Sequence, residues 1–434
     1  MSNHDAISRR AVLKSSLALG GAAALGAMPN RMAAAPLASP ARQEATTLEF
    51  WSRFDFLAGA IDLYNQQAAD SGKQVRVNFT TVPADQMVNK LTAALASKTQ
   101  PDVMSIDLIQ CPYFNSLGAF VDLTDRYNEL PFRDEFAPGM LQLGAYEDRQ
   151  YQLPFAADNS ALIWNKDIFR EAGLDPEQGP AIWQDLIDSA GKATQAPDHF
   201  GIGFDAQSGG TFMFRWMPFV WGNGGDLLNA DGSKSAINSP QALEALQLWV
   251  DLIHKYNATP PGTATWNGDD LRAAFQAGKI AMMISGNFVV ALLNRDAPDL
   301  DYGTTLIPAP GPDGAHSSFA GGDMMGILTG SQREAEGWDL LQFLASEPVQ
   351  VEYLAKSGII PVRTSMYDNA YFAEEPAYQT FTQALDVARA PWTLKYNRLY
   401  DALQANLQQA LAGEKAPEQA LQDIEAAHNQ ILAG

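Results

Sequence analysis

The chain has 434 residues, 46% of them hydrophobic, with 29 basic against 50 acidic side chains and a formal net charge of −21. That length supplies two sizeable cores, and that charge repels nucleic acid and anionic lipid surfaces. A single cysteine, Cys111, excludes an internal disulfide framework.

The N-terminus carries the first signal. Ser8-Arg9-Arg10-Ala11-Val12-Leu13-Lys14 matches the twin-arginine pattern, with Val12 where an aromatic is commoner. Residues 15–27 are apolar and rich in Gly and Ala, too short for a stable membrane span. Residues 33–41 then offer small-residue cleavage points. A basic start, an apolar middle and a small-residue end predict a cleavable export signal and flexible start over residues 1–44. No cysteine stands at its end for lipidation. The mature chain is therefore expected in the periplasm as a monomer, free and not lipid-anchored.

A β-α rhythm follows. Residues 46–51 read as a buried strand, 56–69 as a helix and 75–81 as an alternating strand. Residues 86–96 are helical, with Met87, Leu91 and Leu95 on one face, and 101–106 form a short apolar strand. Strands alternating with helices predict an α/β fold whose mostly parallel sheet is flanked by helices. In such sheets ligands sit beyond the carboxyl ends of strands, which singles out residues 51–55 and 107–110. The second half is more helical. Ser239 and Pro240 open a helix with the apolar stripe Leu243, Leu246, Val250 and Ile253. Residues 271–277 read as a helix, and 280–284 and 324–328 as strands. Further helices are predicted over 338–344, 349–354, 381–388, 396–411 and 420–432.

Patterns of enzymatic chemistry are sparse. The five histidines have no metal-ligand spacing among them. There is no Gly-x-Ser-x-Gly elbow and no Walker loop, and Gly201-Ile202-Gly203 lacks the third glycine of a dinucleotide loop because Ala206 stands there. No metal or cofactor is expected. Paired carboxylates are plentiful in so acidic a chain, which leaves an exported glycoside hydrolase as the minority alternative. What stands out is aromatic and amide punctuation: Trp51 to Asp55 after the first strand; Phe212, Phe214, Trp216, Phe219 and Trp221 before Gly222; and Asn287-Phe288 after the strand at 280. Any one of these rings is more often core than ligand contact. Asp and Asn can nevertheless take a sugar hydroxyl while an aromatic ring covers a C–H face.

Several segments in order resemble the extracellular solute-binding proteins of carbohydrate ABC importers, the maltose-binding-protein-like group. Residues 152–159, followed by Leu162-Ile163-Trp164-Asn165-Lys166-Asp167, are similar to its Pro-containing segment and Tyr-Asn-Lys-like strand, with Trp164 where Tyr is common. Phe275-Gln276-Ala277-Gly278-Lys279-Ile280-Ala281-Met282 with Gly286-Asn287-Phe288 resembles the signature F-x-x-G-K-x-A-M…G-x-W, Phe288 replacing the usual Trp. Gly321-Gly322 and Gly358-Ile359-Ile360-Pro361 match later elements.

The resemblance implies a two-lobed, type II periplasmic-binding-protein-like fold that is not an enzyme. Residues 45–157 with 323–360 would form the N-terminal lobe, and 160–320 with 361–434 the C-terminal lobe. The chain would cross between them near 156–160, 320–322 and 358–366. A sugar would lie in the cleft, and the closed form would dock on membrane permease subunits. By position the ligand-binding residues are Trp51, Asp55, Asp107, Gln110, Asp158, Trp221, Gly222, Asn287, Phe288, Gly322, Asp323 and Arg363. The structural alternative for each Asp is a helix cap or surface charge, and for Arg363 an ion pair. The expected solute is a mono- or oligosaccharide. The alternative is glycerol 3-phosphate or a glycerophosphodiester, with Arg53 and Arg363 serving the phosphate.

Overall fold

The computed structural model describes residues 46–434, except Ala137 and residues 208–210. The export signal expected in residues 1–44 lies outside the described residues. The N-terminal strands follow from alternation. In β1 (Thr46–Ser52) Leu48, Phe50 and Ser52 point inward, and in β2 (Val75–Thr81) Val75 and Val77 do the same. Helix α1 (Ala58–Asp70) connects them and α2 (Ala84–Ser97) leads on to β3. The central strand β3 (Val103–Asp107) is buried from Val103 through Ile106, as a strand covered on both faces must be. β1 pairs in parallel with β2 and β3.

Two long strands carry the chain through the middle of the molecule. β4 (Leu153–Asn165) and β8 (Ser318–Ile327) are antiparallel, with Asp158 opposite Gly321 and Ala156 opposite Asp323. With β5 (Phe200–Ile202), β6 (Ile280–Gly286), β7 (Tyr302–Thr305) and β9 (Ala388–Arg389) they complete a nine-stranded sheet. Its main path runs β2-β1-β3-β8-β4-β6-β5, with β7 paired to β4 and β9 to β8. The first half of β4 pairs with β8, and from Ser160 onward it pairs with β6 and β7. The mostly parallel expectation therefore holds in the outer strands, whereas the crossing strands are antiparallel. Pro154 sits inside β4 without an N–H to give. The register shifts there, between Asp323 and Met324, the irregularity a proline inside a sheet requires.

Two apolar clusters form. The first gathers around Leu48, Phe50, Val103, Phe114 and Phe155. The second gathers around Phe204, Trp216 and Trp249 with α5 (Pro240–His254), α6 (Tyr396–Leu411) and α7 (Pro417–Ala433). Helix α4 (Thr211–Gly222) divides the aromatic run by its period. Phe212, Trp216 and Phe219, spaced for one face, are buried in the second cluster, where Phe212 and Phe219 meet Trp249 edge-on. Phe214 and Trp221, seven residues apart, turn instead to Phe319 on β8, with ring centroids 5.6 and 5.5 Å away. The only cysteine, Cys111, is fully buried; burial pushes its thiol well above the ordinary range.

The helix expected over 381–388 runs instead from Pro376 to Ala384, because Pro376 at the first turn starts it early. A short 3-10 turn, Leu385–Val387, then gives way to β9. The expected helix at 349–354 is mostly a π-type turn, Gln350–Leu354. Its Gln350 amide donates to the carbonyls of Phe155 and Leu344 and accepts from the Val362 N–H. No described helix is long and apolar enough to cross a membrane.

Candidate functional site

The strand ends gather the charged residues. Arg53 follows β1, Asp107 ends β3, Asp323 lies on β8 and Asp158 on β4. The Arg53 guanidinium is 2.7 Å from Asp323 and 3.6 Å from Asp107. Asp323 is fully buried and also accepts from the Ser105 hydroxyl at 2.9 Å, itself 2.8 Å from Ser52 Oγ. Two carboxylates thus hold one cation, and the Asp158 carboxylate acts on it electrostatically from outside that ion pair. Burial, opposed by Arg53 and reinforced by Asp107 and Asp323, raises the Asp158 carboxyl to about 7. Burial likewise lifts Asp323 to about 6 against the pull of Arg53. Asp107 is raised for the same reason. Burial works to lower the Arg53 guanidinium, but the three carboxylates outweigh it and hold it above its ordinary value.

An apolar path leads away from the carboxylates. A Cβ on Gly321 would collide with the Asp158 carboxylate on one side and lie 3.3 Å from the Phe214 ring on the other. Phe214 meets Phe319, and Phe319 meets Trp221. Trp221 Nε1 donates to Asp226 Oδ1 at 2.9 Å, while Arg389 holds Asp226 Oδ2 at 2.6 Å and stands 5.4 Å over the Trp221 ring. These three residues, with Trp392 and, from helix α3 (Pro138–Leu143), Gln142, line a cavity of about 590 Å³. That is within the ~300–1,000 Å³ usual for small-molecule sites. Trp392 is 42% exposed, one of few large apolar side chains so placed among the described residues. Tyr396, 5% exposed, places its phenol in the field of Asp107, and its hydroxyl makes no hydrogen bond.

The sequence-predicted residues divide by location. Asp107, Asp158 and Asp323 converge on Arg53, and Trp221 reaches the cavity. Gly322 lies beside them in β8 at φ +120°, where a Cβ would strike the Ala156 carbonyl. Trp51 packs half-buried against the first cluster with Lys90 Nζ 4.3 Å over its ring. Asp55 is exposed at the start of a 3-10 turn. Gly222 allows a close pass by the chain, since a Cβ there would sit 2.7 Å from the Ala315 carbonyl oxygen.

Other predicted residues have partners within the protein. Asn287 is fully buried; it accepts from the Asn159 N–H and donates to the Gly358 carbonyl, tying two chain crossings together. Phe288 folds back over Gly286. Arg363 is held by Glu135 at 2.9 and 3.1 Å and lies over Phe132, so it is an ion-paired brace. Gln110 is paired with Asn397. Sequence reasoning missed Asp226, Arg389, Trp392 and Tyr396. An isolated Pro391-Trp392 between two predicted helices was the available signal.

This α/β fold, whose long strands run between two apolar clusters, is of the two-lobed periplasmic-binding-protein type. Residues 56–351 match the bacterial extracellular solute-binding protein family, and the chain belongs to it. A binding protein of Brucella abortus is 29% identical over 360 residues, 82% of this chain and 86% of that one. The sn-glycerol-3-phosphate-binding periplasmic protein UgpB of Escherichia coli is 24% identical over 423 residues, 90% of this chain and 93% of its own. Among solved structures, an ABC transporter solute-binding protein of Thermotoga lettingae bound with α-D-tagatose superposes with a TM-score of 0.79 at 27% identity, covering 89% of this chain and all of that one.

Proposed function

We propose that this chain is the substrate-binding component of an ABC importer that captures a mono- or oligosaccharide between its lobes and delivers it to membrane permease subunits. The observation that carries the reading is the carboxylate cluster of Asp107, Asp158 and Asp323, joined by aromatic faces to the cavity under Trp392. Carboxylates accept hydrogen bonds from sugar hydroxyls, and aromatic rings cover the C–H faces of the same sugar. Lobe closure follows because a ligand touching both lobes binds the closed form better. Export by the twin-arginine route as a free periplasmic monomer, and action without catalysis, belong to the same reading.

The second reading, glycerol 3-phosphate or a glycerophosphodiester, draws on the UgpB relative. The charges favour it less. Arg53, Arg363 and Arg389 are each already held by carboxylates, and a phosphate would approach Asp158. Tryptophan fluorescence titrations with a sugar panel and with glycerol 3-phosphate decide between them. Saturable binding of a sugar recovered intact supports the proposal. Binding of the phosphate alone, or steady release of a cleaved sugar, overturns it.

A further inference from the structure

The loop that ends β3 touches helix α6, which the expected division of the chain places in the other lobe. Gln110 Nε2 donates to Asn397 Oδ1 at 2.9 Å, and Asn397 Nδ2 donates back to Gln110 Oε1 at 3.0 Å. Gln110 belongs to the turn after β3, and Asn397 to the first turn of α6, whose Tyr396, Leu399 and Leu403 pack in the second cluster. Ile109, next to Gln110, packs against both clusters. Neither amide lines the 590 Å³ cavity. Gln110 is 8% exposed, whereas Asn397 stands at the solvent edge. With the lobes divided as the sequence predicts, the contact is a seam between them, separate from the cavity walls.

We propose that the reciprocal Gln110–Asn397 amide pair is a cross-lobe latch that holds the cleft closed without ligand, making Asn397 a positioning residue that sets affinity from outside the site. The inference rests on the reading that ligand binds in this cleft. Two neutral hydrogen bonds form only when the lobes meet, so they weight the closed form. A ligand that needs the closed form binds with an apparent constant divided by the closed fraction. The latch is also wired to the carboxylate cluster. Asp107 faces Arg53 with one oxygen and accepts from the Ile109 N–H at 3.2 Å with the other, which fixes the turn that aims Gln110. A ligand engaging Asp107 therefore bears on the latch.

The test uses Gln110→Ala, Asn397→Ala, their double mutant and the exchanged pair Gln110→Asn with Asn397→Gln, which preserves the combined reach of the two amides. Asn397 lies at the solvent edge, so its truncation leaves the core intact; an unchanged melting temperature checks this. Small-angle scattering without ligand is expected to give a larger radius of gyration for each single variant. Apparent affinity for a bound sugar should fall on the order of fivefold or more. The double mutant should be no worse than either single one, and the exchanged pair should restore both readouts. A radius and an affinity unchanged in Asn397→Ala, or fully additive losses in the double mutant, overturn the latch. The scattering needs no ligand, so failure of the sugar reading would show as expansion of the variants without any sugar binding, and failure of the latch as sugar binding without expansion.

Discussion

The Asp158 carboxylate lies directly against Gly321, in the space a side chain at that position would fill. The two residues face each other across the antiparallel pair of β4 and β8. Gly321 thus clears a berth for Asp158, while its neighbour Gly322 has a backbone reason to lack a side chain: its φ of +120° and the Ala156 carbonyl forbid one. Gly321→Ala should displace the Asp158 side chain and cost tenfold or more in sugar affinity, about 1.4 kcal/mol, with a small change in melting temperature. Gly322→Ala should lower the melting temperature. Calorimetric titration and thermal denaturation of both variants check this, and equal affinity losses with equal destabilisation would contradict it.

Asp158 and Asp323 predict an unusual pH dependence. In the unfolded chain an Asp titrates near 3.8, whereas the folded protein holds these two up to about 7 and about 6. The folded state therefore keeps protons that the unfolded state releases. Their contribution to stability is full below about pH 4 and is lost as pH rises through 6 to 7. Thermal melts from pH 5 to 8 should show the slope, and Asp158→Asn should flatten it. Asp158→Ala should weaken sugar binding by tenfold or more without unfolding.

Arg363→Ala should act on stability and leave affinity alone. It removes a two-point ion pair with Glu135 and a guanidinium 4.3 Å over the Phe132 ring. Charge-assisted hydrogen bonds of this kind are each worth about 1.5–3 kcal/mol. Denaturant titration should show the loss, while sugar affinity stays within twofold. A large affinity loss at unchanged stability would return Arg363 to the binding site.

Trp392→Ala tests the cavity. The ring is 42% exposed, so its removal should barely move the melting temperature. If it stacks on a sugar, affinity should fall by roughly two- to tenfold, the range of an aromatic contact worth about 0.5–1.5 kcal/mol. Unchanged affinity would place the ligand nearer Asp158 and away from Trp392.

Local patterns made much of this legible. The apolar run at 46–51 marked β1 and alternation marked β2, and the positions of Asp107, Asp158 and Asp323 at a strand end or near the expected crossings marked all three clustered carboxylates. Arg53 was visible only as a cation suited to phosphate, because its commitment to Asp323 joins positions 270 residues apart in the sequence. The same limit hid the internal partners of Arg363, Gln110 and Asn287, because Glu135, Asn397 and Gly358 lie on other segments. The aromatic run was seen as a cluster, but only its placement on α4 separates Trp216, wholly within the second core, from Trp221, which lines the cavity. Arg389 was missed because β9 has two residues and no pattern of its own, and Trp392 because it lies in the irregular segment after it.

The buried Cys111 has a practical consequence. Its thiol is fully covered and raised well above the ordinary range by that burial, so a thiol-reactive dye should ignore the native protein and label it once the N-terminal core opens. The molecule carries its own unfolding reporter. It also leaves the surface free for a pair of introduced cysteines, one per lobe, through which closure could be followed by energy transfer without first removing a native thiol.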